Sequence, residues 1–195
     1  WLGLASIGGI SNCVIGNATV GNVLSGNLSR ALSINGSGNL IKGNIIGMDA
    51  GGAAIIANQY GIVIDSGTNN LIGDTQNIIS GNSNAGVLIA PEGPAGNLVS
   101  SNIVGLDVNG VLAAPNGTGI KIDGSPGNSV SGNRISGNQY EGVLIANAGA
   151  DHNVVFANVI GNNSANEPLG NGTHGVRIVG GASENSVGLG MFGPN

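Results

Sequence analysis

The sequence is short of almost everything a charged binding surface uses. Only 8% of its 195 residues are charged and 3% are aromatic. The five basic residues, Arg30, Lys42, Lys121, Arg134 and Arg177, are scattered along a chain of net charge −5. A nucleic-acid groove needs clustered cations to displace counterions, so nucleic acid is a poor partner. A long anionic polysaccharide would also find few cations. The single cysteine, Cys13, rules out an intrachain disulfide framework and a cysteine metal cluster. It reads as a small apolar residue in a packed row. No apolar run approaches the ~20 residues of a membrane span. No leader peptide is visible, and the first residue is Trp1, as in a processed, trimmed or excerpted chain. No stretch carries a convincing 3.6-residue period, so helix is expected to be nearly absent.

What the chain has instead is glycine, asparagine and small aliphatic residues. Glycine accounts for 38 positions and hydrophobic residues for 41%. The glycines follow no strict three-residue period, which excludes collagen, and the β-branched content excludes a disordered chain. The organisation is a repeat. Residues 22–34 read NVLSGNLSRALSI, residues 77–89 NIISGNSNAGVLI and residues 133–145 NRISGNQYEGVLI. Between and after them lies a longer version at 44–64, 102–122 and 158–178, each 21 residues long. A fixed period of this size signals a solenoid.

Each turn holds short β segments. In those of the kind Gly86-Val87-Leu88-Ile89, the second and fourth residues are aliphatic in every copy and are expected to point inward. The third runs Ser33, Val63, Leu88, Lys121, Leu144 and Arg177 and is expected to face solvent at least partly. A second kind opens and closes on asparagine and carries an inward aliphatic third residue: Ile41, Val99, Val130 and Val155. Asparagine tolerates left-handed backbone at such corners. Stacked copies would set the amides ~4.8 Å apart, close enough to bond as a ladder. The expected fold is all-β: a single right-handed parallel β-helix of about seven coils over residues 1–195. Short and long coils should alternate in a prism roughly 35 Å long.

This pattern, carried by Asn77–Ile89, Asn133–Ile145 and Asn44–Asp49, resembles the right-handed parallel β-helix repeats of the pectate-lyase-like superfold. More narrowly, it resembles bacterial secreted repeats of the NVISGN/GVxI type. The resemblance spans about residues 10–190 and implies an extracellular or cell-surface protein. Enzymes of this superfold usually act on polysaccharides through paired carboxylates, or through a basic residue with calcium. Candidate polysaccharide-contact carboxylates here are Asp49 with Asp107 and Asp65 with Asp123, each pair 58 residues apart in equivalent slots. The competing reading is a turn carboxylate that caps backbone N–H groups. Asp107-Val108-Asn109-Gly110 hints at calcium but lacks a full ligand loop. His152 and His174 belong to no triad, and no cofactor is implied.

The additional residues of the long copies, about 47–59, 105–117 and 161–173, should bulge from one edge and form the best candidate binding surface. Glycosylation sequons stand at Asn17, Asn27, Asn35, Asn116, Asn162 and Asn171. The two ends, WLGLASIGGI and SVGLGMFGPN, are apolar and fall at similar phases of the repeat. The chain is then a slice of a longer array, or it stacks end to end on copies of itself. Local covering by Trp1, Met191 and Phe192 is a lesser option. The leading expectation is a non-catalytic structural β-solenoid. The alternative is a carbohydrate-active or carbohydrate-binding β-helix module.

Overall fold

The computed structural model describes residues 5–188 except 10, 20, 92 and 93. Trp1, Met191 and Phe192 lie outside the described residues. Three parallel sheets wrap a common axis, and each coil contributes one short strand to each sheet, except that the last described coil adds none to the third. The first sheet stacks seven strands: Ala5–Gly8, Arg30–Asn35, Tyr60–Ser66, Ala85–Ile89, Thr118–Asp123, Val143–Ala146 and Val176–Val179. The second stacks Val14–Ile15, Leu40–Ile41, Leu71–Ile72, Leu98–Ser100, Ser129–Ser131, Val154–Phe156 and Ser186–Val187. The third stacks Val23–Leu24, Ile45–Ile46, Ile78–Ile79, Ile103–Val104, Arg134–Ile135 and Val159–Ile160. Short and long coils alternate, and the described residues contain no helix.

Register follows the repeat, because a one-residue slip would turn every aliphatic side chain outward. Val87 pairs with Ile62 on one side and Ile120 on the other; Ile89 pairs with Ile64 and Ile122. These residues, with Ile41, Ile79, Val99, Val130 and Val155, form one continuous buried core. The expected inward positions are therefore correct. The expected outward row needs a correction. Leu88, Lys121 and Leu144 are half-buried and Arg177 is exposed, but Ser33 and Val63 are buried. The reason at Ser33 is a lid made by another coil: Arg30 pairs with Asp65, and Asp65 accepts from the Ser33 hydroxyl at 2.6 Å.

The corners are asparagine ladders. Asn39, Asn70, Asn97, Asn128, Asn153 and Asn185 precede the strands of the second sheet. Asn22, Asn44, Asn77, Asn102, Asn133 and Asn158 precede those of the third. Asn27, Asn58, Asn82, Asn116, Asn138 and Asn171 lie on the way to the first. The bonding has a direction: backbone N–H and Nδ2 of one asparagine donate to Oδ1 of the asparagine in the next coil. Asn44 gives both bonds to Asn77 at 3.0 Å, and Asn77 gives them to Asn102 at 3.2 and 2.8 Å. Cys13 stands in the asparagine slot of the first column, where its N–H donates to Asn39 Oδ1 at 3.0 Å. The ladders let a narrow coil bury many amides without stranding them. Among the described residues, no buried side-chain nitrogen or oxygen lacks a partner.

Candidate functional site

The three bulges do leave one edge of the prism, and they are built alike. In a short coil the segment Ile78-Ile79 is followed by Ser80. In a long coil Ile45-Ile46 is followed by Gly47. Gly47 has a φ of 92°, and a Cβ there would fall 2.0 Å from the Ser80 carbonyl oxygen. Only glycine lets the chain leave the coil at that point. It then folds back as a small antiparallel arm, with bridges Met48–Ile55, Leu106–Ala113 and Asn162–Pro168.

The arms have three supports. First, the serine of each preceding short coil donates to the arm: Ser25 to the Met48 carbonyl at 2.5 Å, Ser80 to Leu106 at 2.7 Å and Ser136 to Asn162 at 3.0 Å. Second, each arm meets the next arm two coils away, with Val108 N donating to Gly52 O at 3.2 Å and Ser164 N to Gly110 O at 2.7 Å. Third, Met48, Leu106, Ala114 and Leu169 cover the outer face of the third sheet at Ile45, Ile78 and Ile103. This makes a second, smaller core outside the coil.

Asp49 and Asp107 work inside these arms. Asp49 Oδ1 accepts from Ala53 N at 2.8 Å and Ala54 N at 2.9 Å; Asp107 Oδ1 accepts from Val111 N at 2.7 Å and Leu112 N at 3.0 Å. Asn163 Oδ1 does the same for Ala165 and Glu167 at 3.0 and 2.9 Å. Asparagine serves equally because the task is to accept N–H bonds, not to carry charge. The N–H groups of Ala54 and then Ala53 hold the Asp49 carboxyl below its usual range. Asp65 and Asp123 lie on the outer face of the first sheet. Asp65 is occupied by Arg30 and Ser33. Asp123 is occupied by Lys121 at 2.7 Å and the Asn147 amide at 2.5 Å. All four candidate carboxylates are thus engaged by the scaffold itself.

One buried carboxylate escaped the sequence reading. Glu141 receives Arg177 Nη1 at 3.0 Å and the Thr118 hydroxyl at 3.2 Å. Burial raises its pKa, but the bond from Arg177, with those from its own N–H and Thr118, outweighs that and leaves it lowered. No local motif marks this trio; its members come from three coils.

The sequons divide by position. Asn116 is buried, with Nδ2 donating to Ile79 O at 2.9 Å and Asn138 Oδ1 at 3.0 Å. Asn27 spends Nδ2 on Asn58 of its ladder and Asn171 spends it on the Ile135 carbonyl, while Asn17 and Asn162 are exposed and Asn35 is half-buried. His152 is exposed and pairs with Glu184 at 3.1 Å; His174 is exposed in the last described coil. Among the described residues, no three His, Cys, Asp or Glu side chains come together as a metal-sized group.

The sequence reading also passed over a cleft of about 380 Å³ beside the third arm. In the outer column of the third sheet, Ile103 is followed in register by Arg134 and then Val159. Arg134 Nη1 donates to the carbonyls of Asn162 and Asn163 at 3.2 and 2.5 Å. The cleft is lined by Arg134, Gln76, Ser101 and Ser164 over the apolar side chains of Ile103 and Val159.

Comparison with protein families gives one informative result. The model of a family described as periplasmic copper-binding protein (NosD) matches residues 52–187. Comparison with curated proteins and with solved structures gives no match.

Proposed function

The chain belongs to the NosD family, a right-handed parallel β-helix family, and from that premise we propose a non-catalytic β-solenoid outside the cytoplasm that stacks end to end with copies of itself. The location follows the family's description as periplasmic. Support for a non-catalytic role is the engagement of Asp49, Asp65, Asp107 and Asp123 in scaffold bonds, which leaves neither candidate pair free to act as acid and base.

The observation that carries the stacking is the direction of the ladders. In the first described coils, Oδ1 of Asn22 and Asn27 receives no donor from the described residues. In the last, the backbone N–H groups of Asn158, Asn171 and Asn185 find no acceptor among the described residues. Two of these three donors belong to the same columns as Asn22 and Asn27. One end offers acceptors and the other offers donors, which suits a head-to-tail contact. Apolar exposure supports it too. Ile178 and Val187 are 39% and 51% exposed, whereas Ile145 and Val155 in the same inward slots one coil earlier are 0% and 2%.

Copper does not enter this reading. Its protein ligands are thiolate, thioether and imidazole groups held together. Here the Met48 side chain is sealed in the second core, Cys13 stands in a ladder slot, and His152 is paired with Glu184. Nothing converges on them among the described residues.

Sedimentation velocity over a hundredfold concentration range, with negative-stain imaging, tests the proposal. Rods that lengthen with concentration are expected. A monomer throughout would refute stacking, and polysaccharide cleavage would refute the non-catalytic role.

A further inference from the structure

The first two arms leave open an edge that the third arm closes. In the first arm Asp49 N donates to Ala54 O at 2.8 Å and Ile56 N to Gly47 O at 2.9 Å. These bonds flank the Met48–Ile55 bridge, so Ile55 turns its own N–H and C=O away from the arm. The second arm repeats this with Asp107 N to Leu112 O at 2.8 Å and Ala114 N to Gly105 O at 2.9 Å, and Ala113 turns outward. Among the described residues, none of these four outward backbone groups has a partner. In the third arm the same slot holds Pro168, which has no N–H. The slot before it holds Glu167, where the other arms hold Ala54 and Leu112. Proline and charge are what keep a strand edge from pairing. Residues 53–56, AAII, and 111–114, VLAA, carry neither; Pro115 then confines the open edge of the second arm to Ala113. The edge is also apolar. Leu28, Ile55, Ile56, Val108, Val111 and Leu112, on or beside these two arms, are 37–83% exposed. Together they leave roughly 600 Å² open, at the upper end of what a monomer shows. A Cβ on Gly81 would stand 2.9 Å from Ile55 Cγ2, and one on Gly137 would stand 3.1 Å from Ala113 Cβ. Each ribbon therefore lays its face along the coil stack and points its edge sideways.

We propose that these two edges pair with the same edges of a second copy, side by side, across a two-fold parallel to the prism axis. Ile55 then exchanges both backbone bonds with Ile55 of the second copy, and Ala113 with Ala113, as in an antiparallel ladder. A two-fold in that direction keeps both levels in register, because the arms stand about 10 Å apart in either copy. A single extended peptide would meet one level and leave the other open, whereas a second copy meets both. Charge does not oppose the contact, although the chain carries a net −5, since neither edge holds a charged residue. The open area approaches the roughly 800 Å² per partner of a stable interface, which makes a pair of moderate strength. At the third arm Pro168 and Glu167 face their counterparts and add no bond. The contact lies on the flank of the prism and does not depend on end-to-end stacking.

Small-angle X-ray scattering against concentration is the test, because side-by-side pairing doubles the mass per unit length and end-to-end growth leaves it unchanged. Doubling is expected by about 1 mM protein. Amide exchange at Ile55 and Ala113 should slow at least about tenfold in the doubled species. The double variant Ile55→Pro, Ala113→Pro copies Pro168 and removes no backbone bond within either arm. It should keep the wild-type circular dichroism and remain of single width. Leu112→Glu copies Glu167, leaves the backbone intact and should weaken pairing at least about tenfold. Single width for the wild type up to about 1 mM, undiminished doubling in either variant, or unslowed exchange at Ile55 and Ala113 would each overturn the proposal, whatever the rods do in length.

Discussion

Asn102 is bonded on every side of its amide, and its removal has a calculable cost. Oδ1 accepts Asn77 N at 3.2 Å and Asn77 Nδ2 at 2.8 Å. Its own Nδ2 shares two hydrogens among Ile72 O, Ser100 O and Asn133 Oδ1 at 2.9, 2.9 and 3.0 Å. That amounts to about four hydrogen bonds at about 1 kcal/mol each, in a residue that is almost fully buried. The Asn77 N–H has no other acceptor and would be stranded in a dry corner, so Asn102→Ala should cost about 4–5 kcal/mol. Asn27 is the control. It occupies the same kind of slot at the start of a ladder, receives no donor, and gives one good bond, Nδ2 to Asn58 Oδ1 at 2.7 Å. Asn27→Ala should cost about 1 kcal/mol. Urea unfolding followed by far-UV circular dichroism measures both, with the slope checked because coils of a solenoid can unfold separately. Costs within about 1 kcal/mol of one another would refute the view that ladder bonds are made on both sides of each asparagine.

Two other outcomes follow from the arms and the carboxylates. Ser80→Ala removes the bond to Leu106 O and an acceptor of Gly105 N at 3.1 Å. It should destabilise by about 1–2 kcal/mol and speed amide exchange at Asp107–Leu112; unchanged exchange would mean that the serine does not hold the arm. Asp49 is lowered by the N–H groups of Ala54 and Ala53, and Asp151 by the hydroxyl and N–H of Ser183; in Glu141 the bond from Arg177 and its companions outweighs burial. Each has a folded pKa below its unfolded value of about 4. The stability they add is therefore complete above about pH 5 and is lost as pH falls through the lowered values. Tm should be flat from neutrality to about pH 5 and drop below it. Asp49→Asn, which copies Asn163, should keep the turn and shallow the drop; parallel curves for variant and wild type would contradict this.

The coil itself was legible because each of its rules is local. Alternation in Gly86-Val87-Leu88-Ile89 fixes which residues face in, and recurrent asparagine marks the corners. The second core was not read, although it left a trace. The third-sheet segments Ile45-Ile46, Ile78-Ile79 and Ile103-Val104 are apolar at both positions, which is what a strand covered on both faces requires. The serine in SGN looked like part of the turn, because its partner Leu106 is 26 residues away from Ser80. Burial of Ser33 depends on Arg30 reaching Asp65 in the following coil, and no pattern within one copy announces that. Arg134 is legible only as an exception: it is the one polar residue in a column otherwise filled by Val23, Ile45, Ile78, Ile103 and Val159.

The arms also restrict how such a chain can grow. Coils touch their immediate neighbours, but Gly52 meets Val108 and Gly110 meets Ser164 across an intervening short coil. The molecule therefore carries two rulers, an inner one of about 5 Å and an outer one of about 10 Å. Loss or gain of a single coil would leave the inner ruler intact and set the outer one out of step, with a serine facing no arm and an arm facing no serine. Recombination between copies can be silent only in units of two coils. That places the heritable module at the whole short-plus-long pair rather than at the thirteen-residue phrase the eye picks out first.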